Sequence, residues 1–429
     1  MKVFFRNIHL YLSLAAGLVI MTCCFTGAIL VFEKELQEAL NHERYFVKQQ
    51  NLQLPIEQLI SNVKQKYAAA KIASVKIYPH PERSVEIGVS IPEKGNKKEN
   101  GVTVKNEQIQ HGKKEGSEGN REAAGGQKGK SSPPAGGGGR PTHTAFVNPY
   151  SGEIIELYNY RETFFYTMFS LHRWLLGGDS SIGKTITGVA TFIFLFILIT
   201  GIILWWPRNK AILKQRLKIK TAASWKRMNH DLHIVLGFYS AIFLFIFAFT
   251  ALAWSFKWFN DGIYTVTKSS MKPAEPPKSI VQADKKAINY DSAFVAINKV
   301  VADVHYYSLR APNDSTGIFT ATVLPLSAHE TAADNYYIDQ YSGEVIGSLK
   351  FKDKNVGQRV RSTFKPVHTG SIYGWPSKII AFLACFFGVT FPITGTIMWI
   401  NRLRKKNKPV NDKVLSKQLV SEDDYEDEV

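Results

Sequence analysis

The stretch "RMNHDLHIVLGFYSAIFLFIFAFTALAW" (227–254) sets two histidines, His230 and His233, three residues apart at the mouth of a long apolar run. Such a run is a candidate membrane helix, because crossing a hydrocarbon core of about 30 Å takes roughly 20 mainly apolar helical residues. Three other stretches meet the same criterion, so spans are expected at about 10–32, 183–206, 234–256 and 377–400. The fold class that follows is a membrane α-helical bundle of four transmembrane helices with soluble segments between them.

The first span opens "MKVFFRNIHLYLSLAAGLVIMTCCFTGAILVFEKEL" (1–36). Its basic start resembles a signal peptide, but the apolar part is too long and no small-residue cleavage site precedes "FEKEL", so an uncleaved signal anchor is expected. Lys and Arg in short loops set orientation. Arg208, Lys210, Lys214, Arg216, Lys218, Lys220, Lys226 and Arg227 follow the second span with no acid among them, "NRLRKKNK" (401–408) follows the fourth, and Lys2 and Arg6 precede the first. These places are expected to be cytoplasmic, with both termini, leaving about 34–170 and 258–365 exported. The net charge of +17 is therefore read as a topology signal and not as a nucleic-acid footprint. The basic loop also suits contact with anionic headgroups of the lipid bilayer. Only Cys23, Cys24 and Cys385 occur, all inside expected spans, so no disulfide framework, CxxC or CxxCH motif is present.

The chain also repeats itself. "FVNPYSGEIIEL" (146–157) matches "YIDQYSGEVIGS" (337–348), "LITGIILWWPRNK" (198–210) matches "PITGTIMWINRLR" (392–404), and "IHLYLSLAAG" from Ile8 matches "LHIVLGFYSA" from Leu232. Each of the last two carries a Thr seventeen residues after its His, at Thr26 and Thr250. Two copies of one unit, in roughly 1–208 and 229–404, form an internal parallel repeat whose pseudo-twofold axis runs along the membrane normal. Each exported segment reads as a helix followed by strands, hence two small α+β domains.

The organisation expected is a first transmembrane helix with cytoplasmic N-terminus (1–33) and a first exported domain (34–170) carrying a disordered Gly/Lys-rich insertion at about 92–143. An outer His segment with the second helix (171–207) and a basic cytoplasmic loop (208–229) follow. Then come the third helix (230–257), a second exported domain (258–365), an outer His segment with the fourth helix (366–401), and a cytoplasmic tail (402–429).

Five of the eleven histidines lie where a span begins. His9 and His233 are repeat equivalents on the cytoplasmic side. His172 and His368, in "FSLHRWLLGG" and "KPVHTGSIYGW", match on the outer side once a two-residue gap is allowed. His230 has no such partner, its counterpart being Arg6. A single His at a membrane boundary is ordinarily an interfacial residue, but symmetry here yields one opposed pair near each face. Two imidazoles from separate helices are the axial ligands of a b-type haem, and a bis-His iron suits electron transfer. Zinc wants four ligands, and neither pair has repeated Cys, Asp or Glu nearby. "GGDSS" is expected to break the helix between His172 and Thr185, which puts the outer site close to the exported domains. His42, His80, His111, His143, His305 and His329 are read as surface residues. Gly17, Gly27, Gly188, Gly201, Gly237, Gly388 and Gly395 are read as packing glycines or as room for a macrocycle. Trp174, Trp205, Trp206, Trp254, Trp258, Trp375 and Trp399 are read chiefly as an interfacial belt.

No GxGxxG, Walker A, HExxH or GxSxG motif is present, so electrons must come from a quinol or a cytoplasmic protein donor. With "DLHIVLGFY", "NPYSGEII", "DQYSGEVIG", "LHRWLLGG", "VHTGSIYGW", "TGIILWWPR" and "TGTIMWINR", nearly the whole chain resembles the PepSY-associated transmembrane family. The resemblance implies a bacterial inner-membrane protein with periplasmic PepSY-like domains and two b haems, held by His9 and His233 inside and by His172 and His368 outside, with His230 as an alternative inner ligand. It further implies a reductase passing electrons outward to a ferric siderophore or other ferric chelate in iron acquisition. The Gly/Lys-rich insertion and Ser13, where the third span has Gly237, depart from the pattern. A competing expectation is a non-enzymatic membrane anchor that binds or regulates an envelope peptidase or other partner. A transporter ranks last, because no charged residue lies deep in a span.

Overall fold

Four helices are long and apolar enough to cross a membrane: Lys2–Leu30, Ile182–Trp205, Trp225–Ser255 and Trp375–Arg404. Each contains one of the expected spans almost entirely. The computed structural model describes residues 1–92, 141–207, 209–282 and 284–406. The insertion expected at 92–143 thus falls, for 93–140, outside the described residues, as do the tail beyond 406 and Arg208 of the basic loop.

The third helix starts at Trp225, well ahead of the apolar run, so "NHDLH" lies within the helix and not before it. Its polar residues are accommodated by partners: Asn229 donates to the Thr394 carbonyl (3.1 Å), and the Arg227 guanidinium lies 2.8 Å from the buried Asp231 carboxylate. The four helices form a ring in which the first and third each pack on both the second and the fourth. Ala16, Ile20, Cys24, Ala190, Ile197, Leu244 and Ala384 fill its centre. A Cβ on Gly388 would lie 2.7 Å from Cys24 Sγ, so this glycine lets the first and fourth helices approach. Leu18, Phe196, Ile242 and Phe386 point outward and are exposed, which is the surface a bilayer requires.

On one side of the bundle stands an eight-stranded antiparallel sheet. Its strands are β1 (Lys71–Ile77), β2 (Val85–Ser90), β3 (His143–Val147), β4 (Ile154–Tyr158), β5 (Val304–Arg310), β6 (Ile318–Pro325), β7 (Asp334–Asp339) and β8 (Val345–Leu349), in the order β4-β3-β2-β1-β5-β6-β7-β8. Where the sequence suggested two separate modules, the strands of both segments join through β1 and β5, with Val75 opposite Leu309 and Ile77 opposite Tyr307. Joining covers an edge that each smaller sheet would otherwise leave open. It also merges their cores: Val75, Ile87, Val147, Leu309, Ala321, Val323 and Ile338 are fully buried in one cluster with residues of the helices Ile56–Lys66 and Tyr290–Val300. Those two helices cap each other. Asp291 accepts from the backbone N–H of Ile56 (2.7 Å) and Glu57 (3.1 Å), while Glu57 accepts from that of Tyr290 (2.9 Å).

The two Tyr-Ser-Gly-Glu stretches form the β3–β4 and β7–β8 turns in the same way. Asn148 Oδ1 accepts from the backbone of Tyr150 and Ser151, and Asp339 Oδ1 from that of Tyr341 and Ser342. Gly152 and Gly343 then take the left-handed conformation at φ 72° and 75°.

Between sheet and bundle lie two shorter helices, Phe164–Trp174 against the first and second spans and Val356–His368 against the third. The break expected at "GGDSS" falls at residues 175–181. There Leu175 and Leu176 are held at φ 50° and 70°, costly for a branched side chain, before the second span begins at Ile182.

Candidate functional site

His9, His233, His172 and His368 meet in two pairs. His9 of the first span faces His233 of the third at the end away from the sheet, with ring centres 6.5 Å apart and planes at 85°. His172 faces His368 on the sheet side, at 6.1 Å and 67°, each at the C-terminal end of its short helix.

A threonine hydroxyl holds the outer edge of every ring, joined by a backbone carbonyl at three of the four. His9 Nδ1 bonds the Ile197 carbonyl (3.1 Å) and Thr200 Oγ1 (3.0 Å), and His172 Nδ1 bonds the Cys23 carbonyl (3.0 Å) and Thr26 Oγ1 (3.0 Å). His368 Nδ1 bonds the Phe247 carbonyl (2.9 Å) and Thr250 Oγ1 (3.2 Å), and His233 Nδ1 bonds Thr394 Oγ1 (2.8 Å). Each hydroxyl donates to the carbonyl four residues back in its own helix, at Phe196, Thr22, Ile246 or Thr390. It therefore accepts from the ring. A carbonyl can only accept, so Nδ1 carries the proton and Nε2 keeps a free lone pair on all four histidines. This is the arrangement that orients a metal-ligating imidazole and raises its basicity.

Space is left beside the rings as well. A Cβ on Gly201 would approach His9 Cε1 to 3.3 Å, one on Gly27 would approach His172 Cε1 to 3.4 Å, and one on Gly395 would approach His233 Cε1 to 3.4 Å. Each of these glycines follows the Thr that holds the same ring; after Thr250 the residue is Ala251. His233 itself sits in a π-helical turn, Leu232–Leu236, which changes the angle at which the ring leaves the helix.

The ring separations test the fit of a haem. A metal–imidazole bond of about 2.0 Å, with about 1.1 Å more to the ring centre, puts two imidazoles on opposite sides of one metal about 6 Å apart. Both pairs have that spacing. Among the described residues no three or more His, Cys, Asp or Glu side chains gather as for a bare metal ion. Two axial imidazoles suit an iron whose remaining ligands belong to a porphyrin. The His9 and His233 pair opens on a cavity of about 500 Å³, walled by Ile197, Gly201, Phe391 and Gly395 among others, with Arg6, His230 and Arg402 also on its lining.

One family model, PepSY-associated TM region, matches residues 6–402. The chain belongs to that family. No curated protein matches it. The match in this PepSY-associated TM protein takes in both histidine pairs, the sheet, the second and third membrane helices and most of the first and fourth.

Of the remaining expected site residues, His230 lines the same cavity, but its side chain is 48% exposed and its Nδ1 is directed at Asp231 Oδ1 at 3.4 Å. His42, His80 and His305 are exposed, His143 and His329 are half-buried, and His111 lies outside the described residues. From the tryptophan belt, Trp254 stands 5.5 Å from the His368 ring and carries the Arg361 guanidinium on its face at 4.9 Å. Arg173 and Arg361 bring two cations to the sheet-side pair. Burial lowers the pKa of both, and the nearby Arg173 lowers that of Arg361 further.

None of the four ring-holding threonines, Thr26, Thr200, Thr250 and Thr394, was assigned to an imidazole from the sequence of this PepSY-associated TM protein, where Thr26 and Thr250 stood out only as repeat positions. The signal was the Thr-Gly pair in "FTGAI", "LITGI" and "PITGT", which alone does not say which imidazole it faces.

Proposed function

We propose that the protein is a two-haem, b-type electron-transfer protein of the bacterial inner membrane that reduces an external ferric chelate, a ferric siderophore being the substrate class the family resemblance favours. The observation that carries this reading is the pair of opposed imidazoles at each end of the bundle, 6.5 and 6.1 Å apart, with every Nδ1 held by the bundle. His9 with His233 and His172 with His368 would each hold one b-type haem, which would supply one-electron chemistry there.

The chain's own part is placement. His9 and Thr26 lie on one helix seventeen residues apart, so the two pairs are offset by about 25 Å along the bundle. That offset supports transfer between the faces in two shorter steps. The buried threonines fix the imidazole tautomers, and the apolar core keeps water from the space between the pairs. The parallel repeat accounts for this layout: each His is held by a Thr of its own copy and faces a His of the other. With the basic loops on the cytoplasmic side, His9 and His233 are the entry pair, fed by a quinol or a cytoplasmic donor. His172 and His368, beside the PepSY-like sheet domains in the periplasm, are the exit pair.

Optical spectra of the purified chain, oxidised and then dithionite-reduced, test the reading. Two haems per chain with low-spin b-type bands are expected, and ferric chelates should reoxidise them. A preparation without a Soret band, or unchanged haem content after His172→Ala and His368→Ala together, would leave the membrane-anchor function in its place.

A further inference from the structure

The cavity at the His9 and His233 pair is apolar along its walls and cationic at one end. Arg6, His230 and Arg402 reach it from three different helices. Arg6 precedes His9 by three residues and His230 precedes His233 by three, so both stand one helical turn further toward the face away from the sheet. Neither Arg6 nor Arg402 has a carboxylate partner among the described residues. A guest that fits such a space is flat and apolar, with anionic groups along one edge.

We infer that Arg6, His230 and Arg402 form the carboxylate-binding rim of the inner haem site, pairing with the two propionates of a b-type haem whose iron lies between His9 and His233. This rests on the function proposed above. It gives His230 a role that its exposed position and its aim at Asp231 allow, as a donor to an anion and not as an axial ligand. The pseudo-twofold axis brings Arg6 and His230 to equivalent places, one for each propionate, with Arg402 adding charge from the fourth helix. Arginine suits the task because its planar fork binds a carboxylate through two parallel hydrogen bonds.

The test uses the full chain in detergent, loaded either with haem or with haem dimethyl ester, which lacks the two anionic charges. Loss of haem to an excess of apomyoglobin is followed, together with a redox titration. With native haem, Arg6→Gln with Arg402→Gln is expected to speed loss from one of the two sites about tenfold or more, the worth of a charge-assisted hydrogen bond. The potential of that site should fall, since a nearby cation favours the ferrous form, while the other site is unmoved. His230→Gln should act in the same direction with a smaller effect, and Arg6→Lys with Arg402→Lys should restore most of the retention. With the ester, parent and variant should lose haem at the same rate. Equal rates with native haem, or an acceleration that persists with the ester, would overturn the rim. A parent chain that binds no haem would instead remove the proposed function itself, and the haem content of the parent tells the two failures apart.

Discussion

Gly201 lies so close to the His9 ring that a Cβ there would come to 3.3 Å from Cε1. The position following the holding threonine is glycine beside three of the rings and Ala251 beside the fourth, so a single extra carbon is compatible with a shifted imidazole. Gly201→Ala is therefore expected to keep the inner haem with a displaced spectrum. Gly201→Leu has no such room and should leave about one haem per chain, held by the sheet-side pair. Full haem content in the leucine variant, measured by pyridine haemochrome, would contradict the cradle.

The hydrogen bonds to Nδ1 are unequal, and that inequality is testable. His9 keeps the Ile197 carbonyl if Thr200 is lost, whereas Thr394 is the Nδ1 partner of His233 among the described residues. Thr394→Val is thus expected to weaken inner haem binding by about 10–100-fold, the usual effect of removing a partner behind a ligand. Thr200→Val should cost less. Thr394→Val should raise the midpoint potential, because an imidazole whose N–H finds no acceptor is a poorer donor and stabilises ferric iron less, and Thr200→Val should move it less because the Ile197 carbonyl still accepts from His9. Equal effects, or a fall in potential, would count against this assignment.

The spans, the paired histidines and the matching turn stretches could be read in the sequence because each rests on a local pattern: an apolar run, a repeated span opening, or the shared Tyr-Ser-Gly-Glu. What could not be read depends on long-range partners. Nothing in "SVKIYPH" says that Val75 will lie opposite Leu309, because edge pairing is decided by which strand is left open and not by composition. The π-helical turn at His233 is equally silent, since it arises where the third helix packs on the fourth. Thr200 and Thr394 read as ordinary span residues until the bundle turns them toward His9 and His233.

The reciprocal caps between the two exported helices predict a stability effect that leaves the haems alone. Asp291→Ala removes the acceptor for the backbone N–H groups of Ile56 and Glu57 and should cost about 1–2 kcal/mol, the range for loss of a helix cap. Hydrogen exchange in Ile56–Lys66 should report it, with the Soret spectrum unchanged. Leu309→Ala, in the core shared by both halves of the sheet, should cost about 2–5 kcal/mol and loosen β1 as well as β5. Loosening confined to β5 would mean that the two halves fold independently of their junction.

The pair of histidines in "NHDLH" gives the sharpest test of the inner site. His233 faces His9 at 6.5 Å and is held by Thr394, while His230 sits one turn away with about half its side chain in the open. An axial ligand must be oriented and shielded, and of the two only His233 is. His233→Ala is expected to remove the inner haem and leave the sheet-side haem in place, so that content drops from two per chain to one. His230→Ala should retain both at saturating haem, losing the inner one more readily on dilution. His9→Ala should reproduce the His233→Ala spectrum, since the two share one iron. Loss of the inner haem with His230→Ala but not with His233→Ala would exchange their roles, and would mean that the π-helical turn rotates the opposite way when the cofactor is bound.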